Sequence, residues 1–594
     1  MSFNHYYQSE LAELRQLGAR FAERNPALAP FLGQAGQDPD VERLLEGFAF
    51  LTGRLRQKLD DELPELTHSL LNLLWPHYLR PLPSCAILEF DPLPAPGAAI
   101  QVPRGTEVES RALDEVSCRF RTCFATAIQP LRVDELSLAQ QGSGARLTLR
   151  LQITGNGTLD ALDLHQLPLH LAGDRTLSQD LYLALLHNLA GLSLVPLDAE
   201  RQPLTDLQGG ELVLPLARDQ VQPLGFGEDE ALLPYPPNAF RGYRHLQEYF
   251  AFPEKFLFVS IQGMTKLKQL ADPVRRQIRG LEVRFDIARI ARQPRLPSRD
   301  NLRLHCVPVV NLFRHDALPI RLDGKRDEYP LFPAGHGREH LGVFAVERVT
   351  GWQPGGLGHR DYLPFESFAH DLSFGGQSRR PHYAVRQRSA LLHGGIDTYL
   401  AFGDPGTDQD TLSIELTCTN QNLPQRLRAG DLCLPTENTP GGLGFRNLAA
   451  PTACHAPVLS GNRLWQLVSN LSLNYLSLTD VAALRTVLAS YDLPSQHDRQ
   501  AERVSHQRLA ALQGISHRPV DRLYRGLPIR GIATQLDMDA SGFRSEGELY
   551  LFASVLNEFF ALYASLNSFH QLSVRSLQGE VYLWTPRMGQ QPLI

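Results

Sequence analysis

The spacing of apolar residues changes twice along this chain. Through roughly the first eighty residues it is helical. Tyr7, Leu11, Leu14, Gly18 and Phe21 fall on one face, and Asn25-Pro26 closes that run. Asp38 followed by Pro39 predicts the next helix start, with Asp38 at the N-cap and Pro39 at the first helical position. Behind it Val41, Leu44, Leu45, Phe48, Leu51, Leu55 and Leu59 form a long apolar stripe. A third run opens at Pro64 with Leu66, Leu70, Leu73 and Leu74, and Pro76 is placed to kink or end it. Three such amphipathic helices can close on one another as a bundle or offer their stripes to the helices of a partner. The stripe residues Val41, Leu44, Phe48, Leu51 and Leu55 are therefore candidate partner-interface positions.

From Cys85 the period becomes two. Ala145–Thr154 alternates strictly, as do Leu281, Val283, Phe285, Ile287 and then Leu412, Ile414, Leu416, Cys418. With 42 prolines and 46 glycines punctuating the chain, the middle reads as strands and turns, in sandwich or barrel-like domains. Helical spacing returns after Gly461, over Asn462–Tyr475 and again over Val481, Leu484, Val487 and Leu488, with Ser477 or Thr479 as caps. The polar stretch Pro494–Gln513 reads as an exposed connection. Glu548–Leu566 then carries Leu549, Phe552, Leu556, Phe559, Tyr563 and Leu566 at alternating spacings of three and four. This seam is too short to favour an intermolecular coiled coil over packing on its own domain. The expected fold class is α+β and multidomain. Residues 1–84 form an N-terminal helical region, 85–250 and 251–460 two central β-rich domains, and 461–594 a C-terminal mixed helix and strand region.

Composition narrows the function. The formal net charge of -6 lacks the basic excess of a general nucleic-acid binder. Seven cysteines, with no CxxC pair, argue against a disulfide framework and for a reducing compartment. The N-terminus has neither a basic nor an apolar signal region, and no run of 18 apolar residues occurs. A cytoplasmic protein with no membrane insertion is expected.

Catalytic patterns are missing from the sequence. Gly324-Lys325 has Pro319 where a phosphate-binding loop needs its first glycine, and neither GxSxG nor HExxH occurs. The glycine-rich runs Gly355–Gly358 and Gly441–Gly444 read as turns. Asp537, Asp539, Ser541, Gly542 and Glu548 match a calcium-loop spacing. However, Leu527–Leu536 before them reads as strand, and Arg544 stands where an apolar residue belongs. Neither a metal nor another cofactor is expected. Two basic stretches, Arg275, Arg276, Arg279 and Arg289, Arg292, Arg295, Arg299, Arg303, read as a solvated face or as a contact for an acidic partner.

One segment stands apart. Leu224–Phe258, LGFGEDEALLPYPPNAFRGYRHLQEYFAFPEKFLF, packs Tyr235, Phe240, Tyr243, Tyr249, Phe250, Phe252, Phe256 and Phe258 among turn residues. It is too aromatic for a linker and too broken for one helix, so tertiary packing must hold it. It resembles the signature region of the TssF (ImpG/VasA) family of type VI secretion baseplate subunits. Further blocks of that resemblance follow in order: Leu71–Ser84, Val102–Thr106, Cys118–Thr122, Pro308–Phe313 with Pro319, Cys418–Pro424, and Tyr550–Ser568 with Phe569. Gln421 and Asn422 depart from it, standing where a basic and an acidic residue are expected.

The resemblance implies a non-catalytic wedge subunit of a phage-like contractile injection machine. Two such chains would assemble with one TssG-like subunit, and the unit would bind TssK-like and TssE-like subunits. Six wedges would surround a VgrG spike hub, docked at the cytoplasmic face of the inner membrane. A hydrolase or carbohydrate-active enzyme built on β modules, and a peptide- or glycan-binding module, are the competing classes. The first requires a pocket with converging carboxylates. The second requires a soluble monomer with no obligate partner.

Overall fold

A computed structural model of the chain describes all residues except 1–2, 25–38, 61–63, 95–96, 98, 156, 207, 236–241, 291–294, 336–337, 354–357, 367–380, 391–394, 403–409, 460–463, 465–466, 468–479, 525 and 590–594. Asn25-Pro26, Asp38, Phe240, Ser477, Thr479 and nearly all of Asn462–Tyr475 therefore lie outside the described residues, as do the side chains of Val41 and Leu55.

Three helices open the chain: α1 (Phe3–Arg24), α2 (Pro39–Asp60) and α3 (Pro64–Leu74). Pro76 ends the third, where the backbone tightens into a 3-10 turn over Pro76–Tyr78. Strands follow, antiparallel at nearly every pairing. One six-stranded sheet runs in the order Leu432–Pro435, Glu107–Ser110, Arg119–Thr122, Cys306–Val310, Cys85–Phe90, Phe445–Asn447. A five-stranded sheet takes the alternating runs Gly144–Ile153 and Gly280–Ile287 as neighbours, and a four-stranded sheet contains Phe258–Gln262 and Gln166–Leu171. Eight strands form a barrel-like sheet around Thr411–Thr419 and Gly342–Trp352. Backbone pairing crosses residue 250 in several places, for example between Cys85–Phe90 and Cys306–Val310.

Among the described residues, the longer helices after the first strands are α4 (Arg175–Leu186), α5 (Gly242–Ala251), α6 (Val481–Tyr491), α7 (Arg499–Ala510) and α8 (Glu546–Ala561). Asp480 caps α6, accepting from the Ala483 N–H. The polar stretch after Pro494 is no open connection. It contains α7, capped by Asp498 and held by few buried side chains, Ser505 and Leu509 among them. Helix α8 ends at Ala561, short of the expected Leu566. Its seam residues Leu549, Phe552, Leu556 and Phe559 are buried in the chain's own core. The last sheet pairs the hairpin Leu512–Tyr524/Leu527–Met538 with Phe569–Ser576, which runs parallel to the hairpin's second strand after the α8 crossover.

Three apolar cores result. The largest joins Trp75 and Leu79 to the five- and four-stranded sheets, to α5, α6 and α8, and to the last sheet. A second fills the six-stranded sheet, and the third fills the barrel-like sheet.

Candidate partner interface

Helices α1 and α2 lie antiparallel. Arg56 reaches Glu10 at 2.6 Å near one end, and Arg15 reaches Glu42 at 2.7 Å near the other. Gly53 permits the close approach, since a Cβ there would stand 3.2 Å from the Tyr7 backbone nitrogen. Leu11, Ala22 and Ala49 are buried in the seam. The other face is uncovered. Leu44, Phe48 and Leu51, at i, i+4 and i+7, are 74%, 56% and 62% exposed, and Leu17, Phe21 and Phe50 are also exposed. The structure thus brings three of the five sequence candidates into one apolar stripe facing away from α1. Sequence periodicity could not separate this stripe from the seam, because both are apolar.

The root of this helical region is fixed by the aromatic segment. Tyr243 of α5 meets Trp75 edge-on at 4.9 Å and stacks on Tyr491 of α6 at 4.4 Å. The Tyr563 hydroxyl donates to that of Tyr243 at 2.8 Å. Tyr249 packs on Phe552 of α8, while Phe258 meets Phe124 in the second core. Between these contacts sits a fully buried ion pair. Lys255 donates to Glu248, whose other oxygen accepts the Leu232 and Leu233 N–H groups at 2.8 and 3.1 Å. Burial pushes the Lys255 ammonium down from the usual lysine range, and the Glu248 carboxylate opposes that push. The segment is a brace between two cores.

Of the arginines in the two basic stretches, Arg292 lies outside the described residues and four others are held by ion pairs within the chain. Arg275 pairs with Asp272 and Asp160, Arg289 with Glu580, Arg295 with Asp174, and Arg303 with Glu89 and Asp300. The calcium-spaced carboxylates do not converge. Asp537 accepts from Arg575, Asp539 from Ser541 and Gln578, and Glu548 from Arg508 and the Arg544 N–H. A cavity of about 510 Å³ opens between the barrel-like sheet and the helical turns after Pro494. Gln387, Gln421, Gln425, His455 and His497 line it, with Asp498 as its one carboxylate among the described residues. The two histidines stack at 5.2 Å. Burial lowers the His455 pKa, and the neighbouring His497 adds to that. Gln421 and Asn422, the departures from the family pattern, border this cavity, a position that sequence spacing gave no sign of.

The family model described as "Type VI secretion system, TssF" matches residues 1–591. The type VI secretion system component TssF1 of Pseudomonas aeruginosa is 31% identical over 644 aligned positions, covering 99% of this chain and 98% of that one. Among solved structures, a chain of a TssK-TssF-TssG baseplate subcomplex superposes with a TM-score of 0.73 at 33% identity. It covers 92% of this chain and 99% of that chain. A chain of a type VI secretion baseplate complex gives 0.65 at 30% identity, with all of both chains covered. The family model over residues 1–591 and the 31% identity over 99% of the chain place it in the TssF family of type VI secretion baseplate proteins.

Proposed function

We propose that the chain is a structural wedge subunit that joins a TssG-like subunit together with a second copy of itself. It further contacts TssK-like and TssE-like subunits around a VgrG spike. One observation carries this reading: the Leu44, Phe48, Leu51 stripe, left in water on a family member one of whose solved relatives sits in a TssK-TssF-TssG subcomplex. Burying each of these side chains contributes about 1.5–3 kcal/mol, enough for three to drive association. The bundle is an intermolecular one, with α2 as this chain's contribution.

An assembly role is favoured over catalysis. The cavity described above offers one carboxylate rather than a converging pair. No helix among the described residues is long and apolar enough to cross a membrane. Attachment at the cytoplasmic face of the inner membrane would therefore run through protein contacts.

Light-scattering size exclusion of the chain, alone and with its TssG-like neighbour, tests the reading. A complex with two copies of this chain per partner is expected. A chain that stays a clean monomer in the partner's presence overturns it.

A further inference from the structure

The hairpin Leu512–Tyr524/Leu527–Met538 is longer than the sheet that supports it. Gly531–Met538 pair on their second side with Phe569–Ser576, whereas Leu527–Arg530 pair only with Leu523, Tyr524 and their neighbours across the hairpin. Past Gly531 the chain is a two-stranded ribbon. The register assigns its faces: Arg522, Leu527 and Ile529 share one, and Asp521, Leu523, Pro528 and Arg530 share the other. Leu523 is 79% exposed and Leu527 68%.

A strand with one wet side alternates apolar and polar residues. This ribbon carries a large exposed aliphatic group on each face, Leu523 on one and Leu527 on the other, while Ile529 is half-buried. A bare two-stranded ribbon is marginal in water, and uncovered apolar groups on both sides fit a cleft better than a flat surface. Charge narrows the occupant. From Arg518 at the base of the ribbon to Arg530, the sequence carries four arginines, Arg518, Arg522, Arg525 and Arg530, against one acidic residue, Asp521, in a chain whose net charge is -6. Arg522 folds back over the Phe569 ring and donates to Gln571. Arg518 and Arg530 are exposed and form no ion pair among the described residues.

We infer that this ribbon is an arm that inserts into an apolar cleft on a partner protein, with acidic residues on the cleft rim meeting Arg518 and Arg530. The inference rests on the reading of the chain as an assembly subunit. A second copy of the chain is a poor host, because its cavity beside His455 and His497 offers, among the described residues, a single carboxylate, Asp498, to meet the two arginines.

The test uses the full chain co-expressed with its TssG-like and TssK-like subunits. A photoreactive benzophenone side chain replaces Leu523 or Leu527. Crosslinks are expected to a partner subunit, at a segment rich in Asp or Glu. The double variant R518E/R530E, which changes only exposed side chains and should melt like the parent, is expected to cut crosslink yield roughly tenfold, as is about 0.5 M salt. Crosslinks confined to a second copy of this chain overturn the inference. So does an intact complex without crosslinks, or a yield indifferent to charge reversal and salt. A parent chain that assembles with neither subunit instead overturns the wedge reading and removes this occupant with it.

Discussion

At the scale of single residues, the positions that matter most are buried and polar. Lys255 and Glu248 are both fully enclosed, and Glu248 also terminates the Leu232 and Leu233 N–H groups. Replacing Lys255 with Met leaves a buried carboxylate without its cation, so K255M should destabilise the chain by about 3–5 kcal/mol. The double variant E248Q/K255M removes both charges and keeps an acceptor for the two N–H groups. It should recover much of the loss. Apparent denaturation midpoints of the parent and the two variants decide this, and a double variant as unstable as K255M would contradict it. Two histidines set a pH limit. His170 bonds the Leu257 carbonyl at 3.1 Å, and the ring of His305 accepts the Gln129 N–H at 3.2 Å. Burial pushes both pKa values down to about 4. The fold holds these rings neutral, so their stabilisation is fully present above the unfolded value near 6.5 and is lost as pH falls toward 4. Each contributes about 3 kcal/mol over that window. The apparent midpoint should therefore drop steadily from pH 7 to pH 4.5, and a flat profile would exclude this role. Sequence could name the aromatic segment that encloses Lys255, but not that a lysine and a glutamate seven positions apart would close on each other inside it. That pairing depends on the 3-10 turn Pro253–Phe256 folding Lys255 back over α5.

At the scale of elements, α2 divides its apolar residues between two jobs. Ala49 and Gly53 face α1, where small size allows the helices to approach, while Leu44, Phe48 and Leu51 face outward. The triple variant L44D/F48D/L51D should abolish the complex with the TssG-like subunit while leaving far-ultraviolet circular dichroism nearly unchanged. The same variant should reduce self-association of the isolated chain, because the stripe is its largest uncovered helical face among the described residues. Co-purification and light scattering read both effects, and a complex that survives the triple change rules out the stripe as the interface. Long runs such as Gly144–Ile153 and Gly280–Ile287 were legible because one face is packed and the period of two is clean. Helix α7 was not legible. It buries few side chains, and its polar length is held by the Asp498 cap and by the contact of Arg508 with Glu548. Nothing in apolar spacing marks a helix stabilised that way.

At the scale of the whole molecule, the sequence blocks that carry the family resemblance turn out to be contact partners. Val102–Thr106 meets Cys118–Thr122, where the Thr106 and Thr122 hydroxyls both donate to the Pro103 carbonyl at 2.8 Å. Pro308–Phe313 meets Cys418–Pro424 through Asn311 and Asn420. The Asn311 amide donates to the Asn420 side-chain oxygen at 2.8 Å and to the Arg119 carbonyl at 2.7 Å, and its own oxygen accepts the Asn420 N–H at 2.7 Å. Its backbone N–H also bonds Ser84. Order along the chain was visible in the sequence, but which block faces which was not, because the partners are 109 residues apart and, beyond the strand pair of Phe313 with Cys418, are joined by side-chain amides. These amides pin the barrel-like sheet to the six-stranded sheet, since Phe313–Asp316 and Thr411–Thr419 belong to the first and Arg119–Thr122 to the second. Asn311 and Asn420 are both buried, so truncating one leaves buried donors and acceptors unpaired, at about 1–3 kcal/mol for each group. The third core is separate from the other two, so that loss should fall on the junction rather than on the sheets. N311A should therefore speed amide exchange and proteolysis around residues 311–313 and 419–422, while Cys85–Phe90 and Gly280–Ile287 keep their protection. Uniform loss of protection across all three cores would mean that the barrel-like sheet is not a separable unit. Unchanged exchange at the junction would mean that strand pairing and apolar contacts hold it without these amides.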